Sequence, residues 1–162
     1  MFAGPAPVAI GFAKAAKKVV GKAPPLLFLG AAYTEQVGRA LGPDAEGIYA
    51  ISEFEPWSSR SGSLSNWRDL MMRSKLPVTS SSQGGYVAAQ VFVHVLRGIK
   101  GEITRESVTQ AFRALDRYEP AMVGMPFVFG TAAAHHPNRA AIPVQMLHGH
   151  WRIAHHEWIT AD

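Results

Sequence analysis

Leu26-Leu27-Phe28-Leu29 is apolar at every position and is bracketed by Pro24-Pro25 before it and Gly30 after it. A strand with one wet face alternates; a strand that is apolar on both faces belongs inside a sheet covered by helices on both sides. Gly47-Ile48-Tyr49-Ala50-Ile51 reads as a second strand, and the polar stretch over residues 34–41, stopped by Gly42-Pro43, reads as the helix between them. Upstream, Lys14, Lys17 and Lys18 recur at helical spacing, with Val8, Phe12, Ala15, Ala16 and Val19 expected on the buried side and Pro7 in the first turn. Lys22-Ala23-Pro24 punctuates the chain before the first strand. Helix, strand, helix, strand is the rhythm of a βαβ unit, so the fold class is α/β with a parallel sheet.

Beyond the second strand the composition shifts. Glu55-Pro56-Trp57-Ser58-Ser59-Arg60-Ser61-Gly62-Ser63 is a turn-rich connection, followed by a short helix carrying Trp67, Leu70 and Met71. Pro77 and Thr79-Ser80-Ser81-Ser82 read as a further loop. Gly84-Gly85 then opens an apolar helix over residues 86–97, whose polar positions Gln90, His94 and Arg97 form one narrow stripe on an otherwise buried cylinder. Thr104 caps the next helix, with Ile103 and Val108 placed for a hydrophobic staple and Val108, Ala111, Phe112 and Leu115 as its buried stripe. Phe127-Val128-Phe129 and Val144-Gln145-Met146-Leu147 read as strands, and His148-Gly149-His150 as the tight turn into Trp151-Arg152-Ile153.

The chain has 162 residues, 48% of them hydrophobic and 17% charged, which is a globular balance. Its net charge of +4 comes with no sustained basic stripe, so nucleic acid is not an expected partner. Without cysteine, disulfides, thiolate metal sites and Cys nucleophiles are excluded. The N-terminus lacks the order of a signal peptide, because its lysines follow the apolar stretch and Pro5 and Pro7 interrupt it. There is no nucleophile elbow, no phosphate-binding loop and no dinucleotide fingerprint, so neither a catalytic site nor a cofactor is expected. Glu53 with Glu55, and Asp44 with Glu46, are spaced carboxylates beside turns, and nothing marks one partner for burial as an acid–base pair requires.

Ligands of open parallel sheets bind beyond the carboxyl ends of the strands. Three segments fall there: Gly4-Pro5-Ala6 before the first helix, Ala31-Ala32-Tyr33 after the first strand, and Phe54-Glu55-Pro56-Trp57 after the second. The candidate ligand-binding residues are therefore Pro5, Ala6, Ala31, Ala32, Tyr33 and Trp57, with plain loop packing as the ordinary alternative. Seven histidines (His94, His135, His136, His148, His150, His155 and His156) raise a metal-binding alternative, although none sits in a ligand-spaced motif.

The succession of amphipathic helix, Pro-Pro-Leu-Leu-Phe-Leu-Gly, Gly47-Ile48-Tyr49, Gly85-Tyr86-Val87-Ala88-Ala89-Gln90, Ile103-Thr104-Arg105-Glu106-Ser107-Val108 and a final hairpin before Trp151 resembles the C-terminal part of the substrate-binding proteins of ABC importers. The family is that of the Leu/Ile/Val-binding, type I periplasmic binding proteins. The resemblance implies two α/β lobes that close on a small ligand like a flytrap, without catalysis. It assigns residues 1–55 to the second lobe, 56–121 to a hinge crossover and first-lobe helices, and 122–162 to return strands and the C-terminal hairpin of the second lobe. A hinge strand is expected within residues 56–63. The implied partners are a small-molecule ligand, the permease subunits of an inner-membrane ABC transporter and a missing N-terminal lobe, and the implied location is the periplasm. Weak or absent ligand binding by the isolated chain follows.

Amino-acid binders of the family carry an aromatic residue just before the helix that here starts near Pro7, and an acid just after the strand that here ends at Leu29. Those positions hold Pro5 or Ala6, and Ala31 or Ala32; the nearest acid is Glu35. The resemblance thus points away from branched-chain amino acids and toward an aromatic acid or another ligand without a charged amine, set against Tyr33. A ligand-sensing regulatory domain of the same fold is the alternative from another functional class.

Overall fold

Residues 1–19, 25–129 and 138–160 are described by the computed structural model; the Lys22-Ala23-Pro24 break and the pair His135 and His136 lie outside them. Helix α1 (Ala6–Val19) leads into β1 (Leu27–Phe28), then α2 (Glu35–Leu41) and β2 (Tyr49–Ser52). The two strands run parallel, with Leu27 opposite Tyr49 and Phe28 opposite Ala50, as the apolar pattern and the intervening helix require. Three helices follow: α3 (Ser65–Arg73), α4 (Ser80–Gly98) and α5 (Arg105–Arg113). The chain then returns through β3 (Ala140–Leu147), β4 (His150–Ile153) and β5 (Ile159–Thr160). β3 is antiparallel to both β2 and β4, and β5 pairs with the start of β3, so the parallel pair is one part of a mixed five-stranded sheet.

Strand β3 is longer than its Val144–Leu147 core suggests and runs through Pro143. Proline removes a ladder donor and is normally barred from central strands. Here the position falls where β4 has ended, and Ala154 N–H donates to the Pro143 carbonyl at 3.0 Å. The β3–β4 turn has positive φ at both His148 (53°) and Gly149 (76°), the twist that a two-residue hairpin loop needs.

Two buried clusters organise the chain. The first gathers Ala9, Phe28, Tyr33, Val37, Val144 and Trp151 from α1, α2 and the sheet. The second gathers Leu64, Trp67, Met71, Val87, Val91 and Met122 from the helical segment. Trp57 packs against both. The buried face of α1 is Ala6, Ala9 and Ala13, while Val8, Phe12 and Val19 are exposed, so the larger side chains do not form the core stripe expected of them. Alanines let α1 approach α2 and the sheet closely. Phe12 instead stacks on Phe2 at 5.1 Å, and Lys17 pairs with Asp44 at 3.2 Å.

The serine run is not a loop. Thr79 Oγ1 accepts from Ser82 N–H and Ser82 Oγ accepts from Thr79 N–H, a reciprocal cap that starts α4 at Ser80. α4 buries only Gln83, Val87, Val91 and Val95, one line of side chains four residues apart. Phe92 and Val93 remain 46% and 42% exposed, so the cylinder is not buried all round. α5 carries the same kind of cap between Thr104 and Ser107 but buries no residue fully, and Ile103 is 60% exposed rather than stapled. Phe127 makes only a single bridge to Tyr118, not a strand, and residues 56–63 contain no strand but enter a 3-10 turn at Gly62–Leu64. No described helix is long and apolar enough to cross a membrane.

Candidate functional site

β1 and β2 end side by side, and the chain leaves each end differently. After β1 it folds into the 3-10 turn Gly30–Ala32. After β2 the Ser52 hydroxyl, itself buried, donates to the Phe54 carbonyl at 2.6 Å and bends the chain away from the sheet. The opening between these ends has a volume of about 370 Å³ and is lined by Gly30, Ala31, Tyr33, Ser52, Glu53 and Phe54. The first turns of α4 form its other wall through Ser80, Ser81 and Gly84. Ser80 Oγ donates to the Tyr33 carbonyl at 3.0 Å, tying the two walls together.

Tyr33 is the best-supported side chain of the site. Its ring stacks on Trp57 at 4.1 Å and meets Trp151 edge-on at 5.4 Å, and Trp151 Nε1 donates to the Thr34 carbonyl at 2.9 Å. The phenol is buried and its oxygen has no hydrogen-bond partner among the described residues. Burial drives its pKa far above the ordinary tyrosine range, and the Glu35 carboxylate adds to the effect. Tyr33 therefore stays neutral.

The paired carboxylates diverge. Glu55 accepts from Ser59 Oγ at 2.6 Å and from Ser63 Oγ at 2.7 Å, which makes it the organiser of the loop after β2. Gln83, wholly buried, donates to the Glu55 carbonyl at 2.7 Å and fastens that loop to α4. Glu53 projects into the cleft, where its carboxylate has no hydrogen-bond or ion-pair partner among the described residues. A β-carbon built on Gly30 would stand 3.6 Å from Glu53 Oε1. Beyond Phe54 and Gly84 a second, apolar hollow of about 500 Å³ opens between α4 and α5, lined by Val87, Val91, Phe92, Phe112 and Phe127.

Of the residues expected at the site, Ala31 and Tyr33 line the cleft. Ala32 is fully buried in the first cluster, and Trp57 backs Tyr33 rather than facing the opening. Ala6 is a core residue at the start of α1, and the exposed Pro5 has its carbonyl taken by the N–H groups of Val8 and Ala9; neither lines the cleft. Sequence reasoning passed over Ser80, Ser81 and Gly84, although the Thr-x-x-Ser spacing at residues 79–82 was the signal for a capped helix rather than a loop. In the sequence Glu53 is only one of two spaced carboxylates beside a turn. Its position at the end of a strand was the sign of a cleft residue. Among the described residues no group of three or more His, Asp or Glu side chains could hold a metal ion.

A periplasmic binding protein family model matches residues 1–150. The fold is shared with a possible leucine/isoleucine/valine-binding protein from Rhodopirellula baltica, at a TM-score of 0.78 and 22% identity over 94% of this chain and 41% of that one. It is likewise shared with a branched-chain amino acid ABC transporter protein from Thermus thermophilus with bound valine (0.76, 15% identity, 98% and 44%). A fatty acid ABC transporter substrate-binding protein from Thermomonospora curvata matches at 0.80 and 20% identity over 99% and 42%. Among curated proteins none matches the sequence. The chain thus spans about two fifths of the length of the solved structures it matches, and nearly all of it follows their α/β fold. With a family model covering all but its last dozen residues, this chain belongs to the periplasmic binding protein family.

Proposed function

We propose that this chain is the C-terminal part of the solute-binding component of an ABC importer, a non-catalytic protein that works in the periplasm and delivers a small organic solute to a membrane permease. The observation that carries the reading is the cleft beyond β1 and β2, which lies where open α/β sheets hold ligands. Among its described lining residues, a neutral aromatic side chain, hydroxyls and one carboxylate suit a molecule of amino-acid size or a related organic solute. The two buried clusters support the assignment of residues 1–55 and of the strands from Ala140 onward to one lobe and of the helices within 56–121 to the other, whereas Met122 and Phe127, assigned with the return strands, pack in the helical cluster. Exposed Phe92 and Val93 on α4, and α5 without a fully buried residue, support a further lobe that covers those helices in the whole protein. One wall of the cleft would then come from that lobe, and this chain alone would bind weakly, with a Kd near millimolar, or about 4 kcal/mol.

Intrinsic tryptophan fluorescence tests the reading. Pools of amino acids, amines, amides and organic acids are titrated to high millimolar concentration. A binding solute changes the emission through Trp57, which stacks on Tyr33, and Trp57→Phe removes most of the response. A response that survives intact in Trp57→Phe, or no response to any pool, would reject the cleft as the ligand site.

A further inference from the structure

We infer that Trp158 is a positioning residue for the cleft: packed on Gly124, its indole fixes the angle between the sheet and the helical segment, and with it the distance between the two walls. The consequence for a solute rests on the reading of the cleft as the ligand site; the angle itself does not. The family match ends at residue 150, before Trp158. The chain passes between the two buried clusters outward after β2 and back after α5. The two passages touch: Glu55 N–H donates to the Met122 carbonyl at 2.7 Å, and Gln83 Nε2 on α4 lies 3.6 Å from Met122 Sδ. Met122 has a φ of 71°, in the left-handed region that side chains rarely adopt. Bonds gathered near one point leave rotation about that point open, as at a hinge.

Gly124 stands just beyond that point on the returning segment. A β-carbon built on it would fall inside the Trp158 indole, 2.5 Å from Cε3 and 2.6 Å from Cγ, and the three nearest atoms among the described residues all belong to that ring. The glycine thus lets the indole rest directly on the backbone. Trp158 is held to the sheet from both sides: Ala154 N–H donates to the Pro143 carbonyl at 3.0 Å, and β5 pairs Ile159 with Ala141 and Thr160 with Ala140. Met122 and Val123, next to Gly124, pack in the helical cluster. The indole therefore joins the two bodies beside the crossing. A rotation that opened a gap of about 0.5–1 Å there would forfeit a quarter to a half of the dispersion attraction. The cleft takes Gly30, Ala31 and Glu53 from the sheet side and Ser80, Ser81 and Gly84 from α4, so the same rotation would change its width.

The sequence has no cysteine, so Lys14→Cys on α1 and Asp69→Cys on α3, both exposed, carry a unique pair of spin labels. Double electron–electron resonance on the 162-residue chain reads the distance between them. With Trp158 in place it should be one narrow peak; Trp158→Ala and Gly124→Ala should each broaden or displace it. Thermal unfolding isolates the contact. Gly124→Ala should lower Tm by about 2–12 °C when the indole is present and leave Tm unchanged in Trp158→Ala, where the space is free. A broad distribution in the parent chain, an unchanged one in Trp158→Ala, or an equal Gly124→Ala penalty in both backgrounds would overturn the inference. Trp158 is partly exposed, so circular dichroism should show Trp158→Ala folded; an unfolded variant would make the indole a core support and overturn the inference too. No ligand enters these measurements, so their failure leaves the reading of the cleft standing.

Discussion

Removing the Tyr33 hydroxyl separates two roles that the buried ring combines. The ring holds Trp57 and Trp151 in place, whereas the hydroxyl is buried without a hydrogen-bond partner among the described residues. Truncating a buried aromatic to alanine costs about 3–5 kcal/mol, and the two ring pairs sit within that figure at about 0.5–1.5 kcal/mol each. For a chain of this size one kcal/mol moves Tm by about 2–4 °C, so Tyr33→Ala should lower it by about 6–20 °C. Tyr33→Phe should behave in the opposite way. An unpartnered buried hydroxyl carries about 1–3 kcal/mol of desolvation penalty. Deleting it leaves only a small void, so the variant should lose nothing and gain up to about 1 kcal/mol.

A pH signature makes the argument sharper. The unfolded phenol titrates near about 10, while burial holds the folded one well above that. Below the unfolded value both states are protonated and the full stability is present. Above it the unfolded chain releases its proton while the native state keeps it, so stability falls as pH rises, by about 1.4 kcal/mol per pH unit from this residue. Urea unfolding followed by circular dichroism at about pH 8 and about pH 11 measures both effects, and Tyr33→Phe should lack this residue's share of the slope. A loss above about 1 kcal/mol in Tyr33→Phe at the lower pH, or identical slopes in the two proteins, would refute the reasoning.

Three further substitutions probe other parts of the structure. A β-carbon on Gly38 would stand 3.0 Å from Met146 Cε and 3.3 Å from the Gly149 carbonyl. The methionine can shift but the backbone cannot, so Gly38→Ala should destabilise by about 1–2 kcal/mol despite its better helix propensity, and a raised Tm would contradict the close contact. Thr104→Ala removes the acceptor of Ser107 N–H at 3.1 Å and should cost about 1 kcal/mol in urea titrations. Phe92→Ser removes a half-exposed ring that stacks on Phe112 at 6.4 Å, so it should cost about 0.5–1.5 kcal/mol while binding of a hydrophobic dye falls; a loss of several kcal/mol would mean that Phe92 is already covered.

The residues that declared the fold were those whose local chemistry leaves few choices. Leu26-Leu27-Phe28-Leu29 could be only a covered strand, Gly149 lies in the hairpin loop, and Thr104 caps its helix. The side of α1 that faces the core was harder to see. Alanines carry little hydrophobic signal, and the more apolar Val8 and Phe12 drew the stripe to the wrong face. The burial of α4 was overestimated because a helical pattern reports which face is apolar, not whether this chain supplies the cover for it. Within the cleft, Ala31 and Tyr33 were legible from the strand that precedes them. Glu53 was not, since its direction depends on the bend made by Ser52, and Ser80 was missed because its reach to the Tyr33 carbonyl joins positions 47 residues apart.

The cleft at the ends of β1 and β2 is the central claim, and a ¹⁵N-resolved NMR titration with the solute that most changes the tryptophan emission tests it most directly. The amide signals of Gly30, Ala31, Tyr33, Glu53, Ser80 and Ser81 should move together along one saturable curve. Shifts gathered instead around Gln90, His94 and Arg97, at the separate hollow between α3 and α4, would contradict it.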